Sequence, residues 1–159
     1  MKFVVLAVGH RMPDWIRAGF EEYARRMPRE TAIVLKEIRP AVRGDDSGAG
    51  AVKRILEDEY RRIRAALPAG ARKVLLDEAG VSLSTSELAQ RLERWRAEGR
   101  DIAFVIGGAE GTAAALKAEA DFTWSLSKLT LPHGLVRVML AEQLYRAVSL
   151  LAGHPYHRP

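Results

Sequence analysis

The sequence contains no cysteine among its 159 residues. That absence excludes disulfide bonds and metal sites built on thiolates. The phosphate-binding pattern G-x-x-x-x-G-K-[ST] and the dinucleotide pattern G-x-G-x-x-G are also absent. No long apolar segment occurs, because the first run, M-K-F-V-V-L-A-V, is too short to span a membrane and lacks a cleavage pattern. We therefore expect a cytoplasmic protein with no membrane association.

Positive charge is in excess. The chain has 25 Lys and Arg against 20 Asp and Glu, a formal net charge of +5 and a pI of about 9.8. Arginine supplies most of this charge, and its planar guanidinium group suits bidentate contacts with phosphate. A nucleic acid is therefore a candidate partner, although charge alone does not separate such a protein from an ordinary basic one.

Hydrophobic runs that fit strands alternate with amphipathic segments that fit helices. Strands are predicted at residues 2–8, 31–38, 72–77 and 102–106, and a fifth before residue 125. Helices are predicted to start near residue 12 and to cover residues 51–67, 84–98, 113–120 and 135–151. Residues 39–50 are predicted to form a mobile loop. The pattern predicts one α/β domain, residues 1–159, with an open, mostly parallel sheet and helices on both faces.

Several local patterns give more specific expectations. In the first helix, a buried stripe is predicted for Trp15, Ile16, Phe20 and Tyr23. The third strand is expected to break at residues 78–80, and Ser84 with Glu87 fits a capping box. The last helix is apolar on nearly every face, which suggests that a partner subunit helps to bury it.

Three stretches with unusual composition follow predicted strands: residues 75–78, 107–111 and 125–133. In open parallel sheets, ligands bind beyond the carboxyl ends of the strands. The glycines at 107 and 108 allow close approach of the backbone to a ligand, and also a positive φ. In the third stretch, the hydroxyl groups of Ser125, Ser127 and Thr130 are expected to bond to nearby backbone. The ordinary alternative is a set of surface loops.

The chain ends in an aromatic and basic tail, H-P-Y-H-R-P. A frayed terminus is the simplest interpretation. A metal site with two histidines would need further ligands that the sequence does not supply nearby. No Ser-His-Asp set stands out, so a nucleophilic mechanism is unsupported.

Taken together, these motifs resemble one family over the whole chain. They include A-V-G and M-P-D-W near the start, R-I-L-E-D-E in the second helix, L-E-R-W, G-R-D and I-G-G-A-E-G. The longest is W-S-L-S-K-L-T-L-P-H-G-L-V-R-V, and H-P-Y-H-R follows near the end. The chain is similar to the small SPOUT-class methyltransferases of the large ribosomal subunit, which methylate N3 of a pseudouridine in 23S rRNA.

The resemblance implies a trefoil knot in the C-terminal part, a homodimer packed through the last helix, S-adenosylmethionine as cofactor and no metal. It implies large-subunit rRNA in the assembled ribosome as substrate. The implied cofactor-binding residues all lie in the three strand-end stretches: Leu76, Gly107, Gly108, Glu110, Gly111, Ser127, Lys128, Leu129, Thr130, Leu131 and Pro132. The family commonly has proline where this chain has Ala109.

Methylation at N3 requires removal of a weakly acidic proton. The candidate bases are His133, His154 and Tyr156, with Arg158 steering a phosphate or carbonyl group. Tyr156 could instead stack on a base. In a homodimer, the tail of one subunit could complete the site of the other.

Two functions of other classes remain possible from the residues. One is a non-enzymatic RNA-binding module that uses the basic side chains Arg11, Arg17, Arg39 and Arg43. The other is a nucleotide hydrolase, which the missing phosphate loop and nucleophile set disfavour. Binding of S-adenosylmethionine would separate the methyltransferase from both.

Overall fold

The computed structural model describes residues 1–42, 44 and 48–158. The strands are β1 (Phe3–Val8), β2 (Ile33–Ile38), β3 (Arg72–Ser82), β4 (Ile102–Ile106) and β5 (Phe122–Ser125). The helices are α1 (Asp14–Ala24), α2 (Ala49–Ala66), α3 (Thr85–Ala97), α4 (Ala114–Glu119) and α5 (His133–Leu151), and a 3₁₀ turn spans Arg29–Thr31. Arg43, Pro159 and part of the predicted loop at 39–50 lie outside the described residues.

The five strands form one sheet in the order β2-β1-β4-β3-β5, and every neighbouring pair is parallel. This confirms the predicted open parallel α/β sheet. Because all strands run the same way, their carboxyl ends lie at one edge, and β3, β4 and β5 end side by side there.

Helices cover both faces of the sheet, as predicted. On one face, Phe3 and Phe104 pack with α1, α3 and α5, and on the other, Leu6 packs with Ile63 of α2 and Leu116 of α4. Successive residues of β1 alternate between the two clusters, because side chains of a strand point to opposite faces. Both faces are thus buried, which explains the continuous apolar runs of β1 and β4.

The prediction that Trp15 belongs to the buried stripe of α1 is wrong, because 62% of its surface is exposed. Ile16 and Phe20 are buried, and Tyr23 is half-buried against Tyr145 of α5. Residues four apart share a helix face, whereas Trp15 precedes Ile16 by one residue and lies about 100° around the helix.

The predicted break in the third strand is also wrong. β3 continues to Ser82 with a shift in register between Leu76 and Val81, after which Val81 pairs with Trp124. Gly80 makes this possible because a Cβ there would lie 2.7 Å from the backbone of Thr123. The glycine therefore marks close approach of two strands at a bulge and does not end the strand.

The capping box of α3 is confirmed: the Ser84 side chain accepts from the Glu87 N–H, and the Glu87 carboxylate accepts from the Ser84 N–H. The second strand starts two residues later than predicted, after the 3₁₀ turn. The face of α5 that carries Leu140 and Leu144 is buried by α1 and α3 of the same chain.

Candidate functional site

A cavity of about 610 Å³ lies at the carboxyl edge of the sheet, where residues 76–78 of β3 meet the segments that follow β4 and β5. Ligand sites in proteins commonly have volumes of this order. Residues from the three strand ends, from Lys117 and from the start of α5 line it: Leu76, Asp77, Glu78, Ile106, Gly107, Gly108, Ala109, Gly111, Thr112, Lys117, Leu126, Ser127, Leu129, Thr130, Leu131, Pro132, His133 and Val136.

The turn after β4 forms one wall, and it has no room for a side chain at Gly107 or Gly108. A Cβ on Gly107 would lie 2.6 Å from Thr112, and one on Gly108 would lie 2.9 Å from Val8. Neither residue has a positive φ; within this turn that conformation occurs at Gly111, with φ +84°. The glycines are thus required for close packing, which leaves backbone as the cavity surface.

Hydroxyl groups hold the opposite wall, residues 126–132. The Ser125 hydroxyl donates to the Ser127 carbonyl at 2.8 Å, and the Ser127 hydroxyl accepts from the Leu129 N–H at 2.9 Å. These bonds confirm the expected local role of the two serines. Thr130 differs, because its hydroxyl donates to the Glu78 carboxylate at 3.0 Å and so connects this wall to β3.

Charged side chains of both signs reach the cavity. Asp77 is mostly buried, accepts from the Ala79 N–H at 2.9 Å and lies 3.6 Å from the ammonium group of Lys117. Glu78 is exposed and, apart from Thr130, has no partner among the described residues. Among the described residues, the cavity therefore offers one carboxylate without a cationic partner and one that already has a cation.

The N-terminus of α5 places His133 in the cavity wall, and the buried Arg137 holds that end of the helix. Arg137 lies one turn after His133 and is 1% exposed. Its guanidinium donates to the Glu37 carboxylate at 2.9 Å and to the Gly9 carbonyl at 3.2 Å. The start of α5 is thus attached to the ends of β1 and β2.

The C-terminal tail packs against its own α5, away from the cavity. The Tyr156 ring lies 4.6 Å from that of Tyr145, below the Arg146 guanidinium at 4.7 Å, and its hydroxyl donates to Glu142 at 3.2 Å. Burial, followed by the Glu142 carboxylate, raises the pKa of Tyr156 to about 12. His154 and Arg158 are exposed.

The cavity brings together most of the predicted site residues, and the role of each of them stays a prediction. Those that line it are Leu76, Gly107, Gly108, Gly111, Ser127, Leu129, Thr130, Leu131, Pro132 and His133. Those that do not line it in this chain are Glu110, Lys128, His154, Tyr156 and Arg158.

Asp77 and Glu78 belong to the stretch at residues 75–78 that the sequence singles out, but they are not among the expected cofactor-binding residues. Lys117 carries no local signal, because only the tertiary fold brings α4 to the cavity. Arg137 lies in the long motif that begins at Trp124, but no role for it was expected.

A second cavity, of about 530 Å³, lies between α2 and the residues Ala41, Val42 and Gly44. Its wall includes Arg61 and Asp58, which pair with each other at 3.2 Å. It lacks the backbone wall and the converging strand ends of the first cavity, which is therefore the better candidate site.

Within the described residues, no three His, Asp or Glu side chains lie close enough to hold a metal ion. None of the helices in the described ranges is long and apolar enough to cross a membrane.

The chain is similar to a set of named methyltransferases. Residues 1–157 match the model of the family described as Predicted SPOUT methyltransferase. Proteins named Ribosomal RNA large subunit methyltransferase H are 55% identical in Burkholderia multivorans and 54% identical in Burkholderia mallei and Burkholderia pseudomallei. Each of these matches covers 158 residues, 99% of this chain and 99% of the relative. The chain therefore belongs to the SPOUT methyltransferase family.

Proposed function

We propose that this protein uses S-adenosylmethionine to methylate N3 of a pseudouridine in large-subunit rRNA, and that it acts on the assembled ribosome. The names of its relatives support rRNA of the large subunit as the substrate. The motif resemblance supports the pseudouridine and its N3 position. The observation that carries the proposal is the cavity where β3, β4 and β5 meet, which is lined by nine of the eleven residues expected to hold the cofactor.

The cavity residues fit such a cofactor chemically. Main-chain N–H groups can donate hydrogen bonds to the nitrogen atoms of an adenine ring. Within the described part of the chain, no hydrogen bond uses the N–H groups of Ser127, Thr130 or Leu131. The carboxylates of Asp77 and Glu78 provide negative charge for a ligand that carries a sulfonium and an ammonium group. When bound, S-adenosylmethionine supplies the electrophilic methyl group.

The residues of the chain must position the uracil ring and accept a proton, because methylation replaces the N3 hydrogen with carbon. His133 is the one candidate base that lines the cavity of its own chain. Tyr156 is a poor base where it lies, because its raised pKa keeps the phenol protonated at neutral pH. We assign proton acceptance to a histidine, either His133 or His154 of a second subunit.

We further propose that the enzyme is a homodimer whose tails complete each other's sites. Tyr156 contacts Glu142 of α5. Glu142 is nine residues after His133, which corresponds to a rise of about 14 Å along the helix. The tail therefore lies far from the cavity of its own chain. The exposed Trp15 and Leu151, at the ends of α1 and α5, are apolar surface that a partner could cover.

Titration calorimetry with S-adenosylmethionine tests the first step. Gly108 is unsuitable for a blocking substitution, because any side chain there would disturb Val8. Ala109→Trp is better, since Ala109 is exposed, lines the cavity and already has a Cβ. We expect wild type to bind and Ala109→Trp to lose affinity by at least roughly tenfold, which is about 1.4 kcal/mol.

Ala115→Trp is the matched control, because Ala115 is exposed on α4 and lies outside the cavity. It should bind like wild type. No binding by folded wild type would reject the methyltransferase and favour the non-enzymatic RNA-binding module.

Methyl transfer to large ribosomal subunits, free large-subunit rRNA and assembled ribosomes tests the substrate. An N3-methyl group blocks the pairing edge of the base, so reverse transcription should stop at the modified pseudouridine. We expect transfer to ribosomes, and a stop that appears only after reaction. Transfer to a different nucleotide, or to free rRNA alone, would reject the finer proposal.

A further inference from the structure

Two guanidinium groups lie over aromatic rings at the end of the sheet opposite the cavity, and a third is nearby. Arg72, the first residue of β3, has its guanidinium carbon 5.1 Å from the centre of the Trp95 ring. The guanidinium of Arg91 lies 4.0 Å from the centre of the Phe122 ring, and Phe122 is the first residue of β5. We call Arg72, Arg91 and the nearby Arg94 the α3 arginine cluster.

Acidic side chains balance only part of the positive charge of this cluster. Arg72 forms an ion pair with Glu98, but neither Arg91 nor Arg94 has an ion pair with any residue that the structure describes. Glu87 is near Arg91, although its carboxylate serves the capping box of α3. Two unpaired guanidinium groups close to a third repel each other unless an anion joins them.

The lack of a partner is clearest at Arg91. Its Nε is buried and has no hydrogen-bond partner among the described residues. Burial lowers the pKa of Arg91, and the neighbouring Arg94 and Arg72 lower it further. Stacking on Phe122 fixes the plane of the group, so its remaining donors are oriented in advance for a ligand.

A purely structural role explains only part of the cluster. Arg94 and Arg96 lie in the last turn of α3, where positive charge stabilises the helix dipole. Arg91 precedes that turn. It also lies beside two other cations, which a structural role would not favour.

We propose that the α3 arginine cluster binds a backbone phosphate of the rRNA substrate, an inference that rests on the proposed function. A guanidinium group forms bidentate hydrogen bonds with phosphate oxygens, and stacked arginines present these donors in fixed directions. Phosphate is also the anion that the proposed substrate brings in quantity to a protein with a net charge of +5.

The location of the cluster determines what it can affect. Arg72 and the cavity residue Leu76 are four residues apart on β3, which is about 13 Å. A phosphate held there belongs to a nucleotide other than the target. The cluster should therefore strengthen substrate binding and leave the chemical step unchanged.

The test compares Arg91→Gln/Arg94→Gln with wild type in methyl transfer to assembled ribosomes. The KM for ribosomes should rise roughly tenfold, since charge-assisted hydrogen bonds are lost, while kcat stays the same. In RNA binding, the slope of log K against log salt should shrink by about one for each lost contact. Arg94→Gln alone, an exposed substitution, should shift both quantities in the same direction by a smaller amount.

Arg25→Gln/Arg61→Gln is the matched control. It removes the same charge from two exposed arginines that pair with Glu22 and Asp58. It should change KM less than twofold. A further variant, Glu98→Gln, frees Arg72 from its ion pair and should lower KM, whereas Glu22→Gln should not.

Four results would overturn the inference. The first is a KM and a salt slope equal to those of the charge control, and the second is a kcat that falls as KM rises. The third is a lower thermal stability of Arg94→Gln with no change in RNA binding. The fourth is a change in oligomeric mass by light scattering, which would indicate a protein contact. In each case wild-type methylation would still support the proposed function, whereas failure of wild type to bind S-adenosylmethionine would reject that function directly.

Discussion

At the scale of single residues, Arg137 shows how a buried charge can position a site that it does not touch. It is fully buried, yet it pairs with Glu37, whose side chain is 40% exposed. Removing the guanidinium therefore leaves no buried, unpaired carboxylate behind. What is lost is the attachment of α5 to the Gly9 carbonyl and to β2.

We predict that Arg137→Met lowers the free energy of unfolding by about 1–3 kcal/mol, as two charge-assisted hydrogen bonds are lost and an apolar chain of similar size remains. Arg137→Lys keeps the charge but cannot make both bonds, so its stability should lie between those of Met and wild type. Urea unfolding measures this order. Equal stability of Lys and Met would mean that the forked hydrogen bonding contributes nothing.

Tyr156 gives a prediction about pH. Its folded pKa, about 12, lies above the ordinary value of 10.0, so the fold favours the protonated phenol. Its contribution to stability is complete below pH 10 and is lost as the pH rises through about 12. In a spectroscopic titration of the phenolate, Tyr156 should therefore ionise at about pH 12. A second of the four tyrosines, Tyr60, should also ionise later than an ordinary tyrosine, because its hydrogen bond to Glu119 raises its pKa.

Two variants assign the step at about pH 12. Tyr156→Phe should remove it, and Glu142→Gln should move it only part of the way towards pH 10, because burial is the largest cause of the shift. If the ionisation step that Tyr156→Phe removes lies near pH 10 in wild type, the tail does not pack on α5 in solution.

At the scale of elements, α3 can be tested separately from the cavity. Its capping box satisfies two N–H groups reciprocally, and Ser84 lies on the surface. We expect Ser84→Ala to lower the free energy of unfolding by about 1 kcal/mol. Binding of S-adenosylmethionine should not change, since Ser84 is outside the cavity.

The control for this cap is Ser86→Ala, an exposed position inside the same helix where alanine is the better helix former. It should leave stability equal or slightly higher in the same urea experiment. Equal losses in the two variants would show that the capping bonds add nothing in solution.

The wall at residues 126–132 depends in part on contacts with distant residues, whereas the capping box of α3 is local. Its serine hydroxyls bond within the segment, but its connection to β3 depends on Thr130 and Glu78, which are 52 residues apart. Local composition could therefore indicate a segment without regular structure, whereas its place beside β3 required the tertiary fold.

At the scale of the whole molecule, membership of the SPOUT family implies a trefoil knot near the C-terminus and S-adenosylmethionine as the methyl donor. The order β2-β1-β4-β3-β5 brings β4 between the first and third strands and places β5 beside β3. That order collects the three stretches predicted to bind the ligand at one edge.

Mixed dimers test the shared site. One subunit carries Ala109→Trp, which blocks its cavity, and the other carries Arg158→Ala in its tail. If tails act across the dimer, this pairing leaves one site with both parts intact, and about half of wild-type activity should return in a methyl-transfer assay. Each variant alone should be inactive or nearly so. No recovery in purified mixed dimers would show that each subunit works alone.

The sequence by itself determined the α/β alternation and the parallel sheet, and it indicated the edge of the sheet where the candidate cavity lies, because apolar periodicity and glycine position are local properties. It also determined the capping box, which depends on residues three apart. Only the tertiary structure decided that Trp15 is exposed, that β3 passes through Gly80 as a bulge, and that Lys117 and Arg137 support the cavity. These outcomes depend on contacts between segments distant in the chain, which no local pattern encodes. The alternation of residues in a helix or strand fixes which face a side chain takes, but the neighbouring element decides whether that face is buried.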